Sequence, residues 1–266
     1  MNNIKQIKYF FIITIFVVFG CKSTYYSPGV TNETTSILSK DEQNNLYVVI
    51  NNKLSKSNNL SDTSINYSNL KNGLITSIDT RNPLKIMLFF KEQQEIILLD
   101  NSLSETRNIA LISQLNSIVD LVCLSNRDNS FWIYSGINQE LLKVDKNLKT
   151  INLTKNIGQL IDMDITPIQM VEYNNSVYLL DQKFGIFLFD LYGNYIKRIP
   201  LQDAKRFKIY PEGIIYLKKD ALMKYEFKSF NKTLILKLNT EFSDFEVINN
   251  TIFGINDNDL KIIFKK

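Results

Sequence analysis

The sequence predicts an all-β fold, a β-propeller of six small four-stranded blades over residues 45–266. Three observations lead to this prediction. From residue 45 onwards, short apolar runs alternate with Asn, Asp, Gly and Lys, which is the pattern of strands joined by turns. No segment has the apolar spacing of an amphipathic helix. Finally, groups of these runs recur every 37–45 residues, which is the length of a propeller blade.

The repeat is clearest in the second and third strands of each blade. The expected second strands begin at Lys85, Phe131, Val177, Ile214 and Thr251, and the third strands at Glu95, Glu140, Gly185, Ala221 and Leu260. An inner run precedes each pair, and an outer run follows every pair except the last. One twisted four-stranded sheet cannot cover both of its faces, so neighbouring sheets packed around an axis are expected to bury them.

The blade number follows from the length of the repeating region. Residues 45–266 number 222, which gives about 37 residues per blade for six blades or 44 for five. Six is favoured because residues 45–70 contain strand-like pieces that five blades would leave unused. The last copy has three strands, and Leu46–Ile50 is the expected fourth strand that closes the ring. An unclosed sandwich or barrel of hairpins is the alternative.

Residues 1–20 are predicted to be a lipoprotein signal peptide. Lys5 and Lys8 precede an apolar stretch, residues 9–19, that suits a signal peptide and is too short for a transmembrane helix. The sequence Val18-Phe19-Gly20-Cys21 resembles a lipobox, so Cys21 is the predicted lipidation site. Residues 21–44, which are rich in Ser, Thr, Asn and Tyr, form the expected flexible tether. A noncleaved membrane anchor is the alternative.

The residues after Cys21 suggest where the lipid anchor would hold the domain. Lys22 stands where an aspartate retains lipoproteins in the inner membrane of enteric bacteria. A lysine followed by acidic residues resembles the surface-export signal of Bacteroidota lipoproteins, but here no acid occurs before Glu33. The expected location is therefore the cell envelope, as an outer-membrane lipoprotein that faces the periplasm rather than the cell surface.

The composition argues against several function classes. The chain has a net charge of +4, and loss of Lys5 and Lys8 leaves 29 basic against 27 acidic residues, too balanced for a nucleic-acid partner. Histidine, the usual general base and metal ligand, is absent. If Cys21 is acylated, Cys123 has no partner in the chain, so no disulfide is expected. The apolar run around Cys123 favours a buried thiol over a nucleophile.

A search for site motifs predicts no catalytic residue, cofactor or metal ligand. Glycine-rich nucleotide loops, zinc motifs and nucleophile elbows are missing from the sequence. Asp162-Met163-Asp164 resembles the start of a calcium loop, but the later ligands do not follow, so a polar connector between blades is favoured. Trp132 lies in an apolar strand and is expected in the core.

Two sets of charged residues occur at turns. Asp79 and Arg81 flank the turn before Pro83, where they could project into a shared cleft on one face of the ring. A turn held by local side-chain bonds is the favoured interpretation. Asp100, Asp145 and Asp190 each end a third strand and are spaced 45 residues apart. They are predicted to bond the backbone of their own turns.

Two segments resemble an uncharacterised group of Bacteroidota propeller lipoproteins. These are Asp79-Thr80-Arg81-Asn82-Pro83-Leu84-Lys85-Ile86, with Leu99-Asp100 after it, and Ser125-Asn126-Arg127-Asp128-Asn129-Ser130-Phe131-Trp132-Ile133-Tyr134. The resemblance covers most of residues 45–260 and implies a lipidated propeller, but it brings no established function or catalytic residues. More distantly, a lipidated propeller is similar to the scaffold subunit of the outer-membrane barrel-assembly machinery.

Two functions from different classes fit these features. The first is a non-catalytic protein-binding scaffold in the envelope, within an outer-membrane assembly or secretion complex, anchored by the lipid on Cys21. The alternative is a ligand-binding or metal-dependent, lactonase-like propeller enzyme that uses the central channel. The lack of histidine weakens the alternative, although a calcium site built from oxygen ligands alone stays open.

Overall fold

The computed structural model describes residues 36–58, 64–69, 71–127, 129–256 and 259–265. The predicted signal peptide, the lipidation site Cys21 and the expected tether up to residue 35 lie outside the described residues. Within these ranges the chain forms 23 strands and two short helices. None of the helices found there is long and apolar enough to cross a membrane.

The strands form six antiparallel sheets, and in each sheet the strands pair in the order of the sequence. Blade 1 contains β1 (Ile37–Lys40), β2 (Leu46–Ile50), β3 (Lys53–Ser57) and β4 (Ser64–Ser68), and blade 2 contains β5 (Ser77–Asp79), β6 (Ile86–Phe90), β7 (Glu95–Leu99) and β8 (Glu105–Ala110). Blade 3 contains β9 (Leu121–Leu124), β10 (Phe131–Ser135), β11 (Glu140–Val144) and β12 (Thr150–Thr154), and blade 4 contains β13 (Gln169–Tyr173), β14 (Ser176–Asp181), β15 (Gly185–Asp190) and β16 (Tyr195–Ile199). Blade 5 contains β17 (Arg206–Tyr210), β18 (Gly213–Leu217), β19 (Ala221–Glu226) and β20 (Lys232–Lys237), and blade 6 contains β21 (Asp244–Ile248), β22 (Thr251–Asn256) and β23 (Asp259–Lys265). Helices α1 (Ile112–Leu115) and α2 (Ile157–Ile161) lie in the connections before blades 3 and 4.

The core consists of six apolar clusters, one between each pair of neighbouring blades. Each cluster mixes side chains from the facing sides of two sheets, because neither sheet can bury its own faces alone. The sixth cluster joins Leu38 and Leu46 of blade 1 to Ile248, Phe253 and Ile255 of blade 6. The ring is therefore closed, and the prediction of a six-bladed propeller is confirmed.

Two details of the prediction were wrong. Strand β2, expected to complete the last blade, pairs with β1 and β3 in blade 1, so the described strands close the ring by packing rather than by a shared sheet. Strand β1 lies inside the expected tether, so the propeller begins before residue 45. Ile37 and Leu38 become strand residues because they are buried, Ile37 against blade 2 and Leu38 against blade 6, where its partner Asp244 lies 206 residues away.

Side-chain amides tie neighbouring blades together. Gln94 of blade 2 makes two hydrogen bonds with the backbone of Val119, at 2.9 and 2.7 Å. Gln169 of blade 4 binds the N–H and the carbonyl of Phe207 in the same way, at 3.0 and 2.9 Å. These bonds satisfy backbone groups that no strand covers, and the second pair joins the innermost strands of blades 4 and 5, β13 and β17.

Candidate functional site

The innermost strands of all six blades surround an axial cavity of about 220 Å³. Its walls combine apolar side chains with seven charged ones, which are Lys40, Asp79, Arg81, Arg206, Lys208, Asp244 and Glu246. Channels of this kind are the usual place for a ligand or active site in a propeller, because loops and strand ends from every blade converge there. The contacts of these charged side chains show which of them are paired with one another and which are available to a ligand.

Asp79 and Arg81 both line the cavity and bind each other. The Arg81 guanidinium donates from Nε to Asp79 Oδ1 at 2.9 Å and from Nη2 to Oδ2 at 2.6 Å. The backbone N–H of Leu124 donates to the same Oδ2 at 3.0 Å. Burial alone would raise the pKa of Asp79, but Arg81 and this N–H together lower it. The carboxylate is therefore held ionised inside a bidentate ion pair.

Arg81 also connects three blades. Its Nη2 donates to the Leu124 carbonyl at 2.8 Å, and its Nη1 donates to Asn126 Oδ1 at 3.1 Å, both in the third blade's part of the chain. Nη1 further donates to the carbonyl oxygen of Glu172 in blade 4. Both sequence interpretations of this turn thus hold in part, since the pair faces the channel and is at the same time held by structural bonds.

Sequence reasoning missed Glu172, the acid that completes this cluster. Glu172 is 1% exposed; its Oε1 accepts the N–H of Asn126 at 3.1 Å and its Oε2 accepts the indole N–H of Trp132 at 2.6 Å. Trp132 is fully buried, as predicted, but it carries this polar contact as well. The available signal was an acid on an innermost strand, a feature that Glu172 shares with Asp79 and Glu246.

A second charged cluster lies where blades 5, 6 and 1 meet. Lys208 Nζ donates to the Leu38 carbonyl at 2.5 Å and lies 3.5 Å from both the Asp244 and the Glu246 carboxylates. Asp244 Oδ2 accepts the Leu38 N–H at 3.0 Å. Burial, and next Glu246, raise the pKa of Tyr210, whose hydroxyl donates to Glu246 at 3.2 Å. These channel charges therefore satisfy one another.

The three repeated aspartates cap their turns, as predicted. Oδ1 of Asp100 accepts the N–H groups of the residues two and four positions later, at 2.8 and 2.9 Å. Asp145 and Asp190 make the same two bonds, all between 2.8 and 2.9 Å. Their 45-residue spacing reflects a repeated turn rather than a site.

The remaining candidates are structural. Cys123 is 2% exposed, and burial raises the pKa of its thiol far above the usual range, so it stays a protonated core thiol. Among the described residues it is a free cysteine. Asp162 ends α2 in the left-handed conformation, so Asp162-Met163-Asp164 is the expected connector between blades 3 and 4. In the described ranges, no acidic or cysteine side chains group as a metal site requires.

The outer surface of the ring carries an uneven set of apolar side chains. Strands β12, β16, β20 and β23 expose Ile151, Leu153, Ile196, Leu234, Ile235, Leu260, Ile262 and Phe264. The equivalent outer strand of blade 2, β8, exposes Glu105 and Arg107 instead and buries its one large apolar residue, Ile109. Blades 3 to 6 thus present large apolar side chains to solvent where blade 2 presents polar ones, and the outer strand of blade 1, β4, exposes Ile65.

Comparison with known proteins bears on the fold. No protein-family model matches the chain, and a search of curated proteins gives no significant match. The WD40 β-propeller domain of Doa1 is 12% identical with a TM-score of 0.61, covering 85% of this chain and 76% of that one. Streptogramin B lyase is also 12% identical, with a TM-score of 0.60, covering 87% of this chain and 79% of its own. The fold is that of a β-propeller.

A bacterial surface protein is among the similar structures. PorZ of Porphyromonas gingivalis, an essential surface component of the type-IX secretion system, is 15% identical with a TM-score of 0.51. The match covers 86% of this chain but 32% of PorZ, so this chain spans about a third of that protein. A lyase and a secretion component on the same scaffold illustrate that a propeller fold does not fix a function.

Proposed function

We propose that this chain is a lipoprotein anchored through Cys21 whose propeller is a non-catalytic protein-binding scaffold at the periplasmic face of the outer membrane. The observation that carries this proposal is the apolar outer surface of blades 3 to 6. Exposed apolar side chains concentrated on one part of a surface are typical of protein-binding regions. A complex that assembles or secretes outer-membrane proteins is the expected partner.

The contacts in the channel favour a scaffold over an enzyme. The Asp79 carboxylate is bound by Arg81, and Glu246 by Tyr210 beside Lys208, so these acids stabilise the ring. A general acid or base must instead reach a substrate. The alternative of a lactonase-like enzyme therefore finds less support in these contacts.

The test of the scaffold is whether capture of a partner depends on the outer surface. Cells carrying the C-terminally tagged protein are crosslinked, their membranes solubilised and the co-purified proteins quantified. The wild type should recover a partner in stoichiometric amount. We expect the triple variant Leu153→Ser, Ile196→Ser, Leu234→Ser to recover at least tenfold less of that partner. Leu84→Ser, which changes a 73% exposed residue on blade 2, should retain it. Equal recovery with both variants, or no partner for the wild type, would sink the proposal.

The anchor has its own test. Cys21→Ala removes the acylation site, so the protein should move from the membrane to the soluble fraction, measured by fractionation and immunoblotting. Ser23→Ala, two residues away, is the matched control and should stay with the membrane. A Cys21→Ala protein that still partitions with membranes would show that the lipid is not what holds it.

A further inference from the structure

A second cavity, of about 750 Å³, lies at the mouth of the ring where the innermost strands begin. Its walls come from five blades, with residues from Thr76 in blade 2 to Ser243 before blade 6. Its volume falls in the range of about 300–1,000 Å³ that is common for small-ligand pockets. The charged pairs of the smaller axial cavity do not fill this mouth.

A buried hydroxyl in the wall lacks a partner. Tyr134 lines the cavity, is 1% exposed, and its hydroxyl has no hydrogen-bond partner among the described residues. Buried hydroxyls in folded proteins are nearly always paired. The Tyr134 oxygen has less than 1 Å² of accessible surface, so it can gain a partner from the cavity only when the wall beside it moves as a ligand binds. Burial, and then the carboxylates of Asp120, Asp164 and Asp181, raise the pKa of Tyr134 to about 12. The neutral hydroxyl oxygen thus lies in a field that favours a cation.

One of these carboxylates is available to a ligand. Asp120 already pairs with Lys91 at 2.8 Å and accepts the Gly136 N–H at 2.7 Å, while Asp181 accepts backbone N–H groups. Asp164 is exposed, lines the same cavity and has one long contact, 3.5 Å from the Gln139 amide. Asp164 is therefore suited to accept a hydrogen bond from a protonated amine, and the Tyr134 oxygen becomes a second acceptor when the wall moves to expose it.

The same cavity offers a site for a negative group. Arg206 lines it and donates from Nη1 to the Lys205 carbonyl at 3.3 Å, and in the described part of the chain no carboxylate forms an ion pair with it. A guanidinium in this state binds carboxylates through two parallel hydrogen bonds. Ile137, 73% exposed, and the buried Ile165 add an apolar wall.

We propose that this mouth binds a small zwitterion of the amino-acid or short-peptide class. The amino group of the ligand binds Asp164 and, as the wall beside it moves, Tyr134 Oη. Its carboxylate binds Arg206, and an apolar side chain packs against Ile137. The site uses the mouth of the ring and not the outer strands, so it goes beyond the scaffold role and stands independently of it.

The first test measures binding to the detergent-solubilised full chain. Thermal shift with the twenty common L-amino acids and Leu-Leu identifies the best zwitterion, and calorimetry then compares it with its N-acetylated and its C-amidated forms. We expect each cap to weaken binding at least tenfold, since each removes one charge. A stronger response to free amino acids than to Leu-Leu, or the reverse, assigns the ligand as amino acid or peptide. Absence of binding, or equal binding of the capped forms, overturns the proposal.

Variants then assign each group. Asp164→Asn should bind the free and the acetylated ligand equally, and Arg206→Gln should bind the acid and the amide equally. Tyr134→Phe removes a hydroxyl without a partner, so it should weaken binding tenfold while the Tm stays within about 2 °C. Asp162→Asn and Arg107→Gln, outside the cavity, are the matched controls and should bind like the wild type. If Asp164→Asn still binds the free ligand more tightly than the acetylated one, or Arg206→Gln still binds the acid more tightly than the amide, the assignment is wrong.

Discussion

Arg81 and Asp79 form a bidentate ion pair in the wall of the channel. Arg81→Met keeps most of the side-chain volume but leaves Asp79, 8% exposed, without its counter-charge. Breaking a buried ion pair from one side costs about 3–5 kcal/mol of unfolding free energy. We expect a loss of that size in urea denaturation. The double variant Asp79→Asn, Arg81→Met should recover part of it, because no unpaired charge remains.

The same pair predicts a pH dependence with a defined sign. The folded-state pKa of Asp79 is lowered in the wild type, so the pair stabilises the fold above the unfolded pKa of about 3.9, and this contribution is lost as the pH falls through the folded pKa. In Arg81→Met, burial dominates and raises the folded pKa, so acidification favours the folded state of the variant. The destabilisation measured at pH 7 should therefore shrink at pH 4. An unchanged difference at the two pH values would contradict this account.

For single residues, the sequence identifies candidate side chains better than it identifies the partners they contact. Asp79 and Arg81 stand out because they lie two residues apart in one turn. Glu172 does not, because the Arg81 that contacts it is 91 residues away and Trp132 is 40 residues away. A single sequence carries no signal for such distances, since the contact exists only after blades 2, 3 and 4 have packed.

Among the elements, the turn after the third strand repeats most faithfully in blades 2, 3 and 4. In blade 3, Asp145 Oδ1 accepts the N–H groups of Asn147 at 2.8 Å and Lys149 at 2.9 Å. Asp145→Ala removes both bonds and should lower the Tm by about 2–4 °C, the effect of losing roughly 1 kcal/mol in a domain of this size. Asp145→Asn keeps an acceptor oxygen and should lose less. Lys146→Ala, on the same turn, should leave the Tm unchanged in scanning calorimetry. If Asp145→Ala and Lys146→Ala lower the Tm equally, the hydrogen bonds of Asp145 do not stabilise the turn.

Strands could be predicted where their own residues decide the structure. The second and third strands of blades 2 to 6 are apolar runs bounded by turn residues, and the structure places them within a residue or two of the expected bounds. Strand β1 shows the opposite case. Its four residues, Ile37–Lys40, have two apolar side chains in a polar context. They form a strand because β2 pairs with them, while blade 2 buries Ile37 and blade 6 buries Leu38. Long-range burial of this kind cannot be read from local composition.

For the whole molecule, the decisive interface is the one between blade 1 and blade 6, which we call the seam. No strand in the described residues is shared across it, and β1 and β21 are joined by packing and by bonds such as Leu38 N–H to Asp244 and Lys40 Nζ to the Val247 carbonyl, at 2.8 Å. Other neighbouring blades are linked covalently by one short connection. The seam is therefore the expected place for the ring to open first.

Lys208 offers a way to test this seam. Lys208→Met leaves Asp244 and Glu246, 3% and 4% exposed, as two buried carboxylates without their shared ammonium partner. We expect the amides of β1 and β21 to lose protection in native-state hydrogen exchange at least tenfold more than those of β14 and β15, because the lost charge acts on blades 6 and 1 first. Lys183→Met, on an exposed turn of blade 4, is the control and should leave the exchange pattern unchanged. A uniform loss of protection around the ring would mean that the propeller opens as one cooperative unit and that the seam is as stable as any other blade interface.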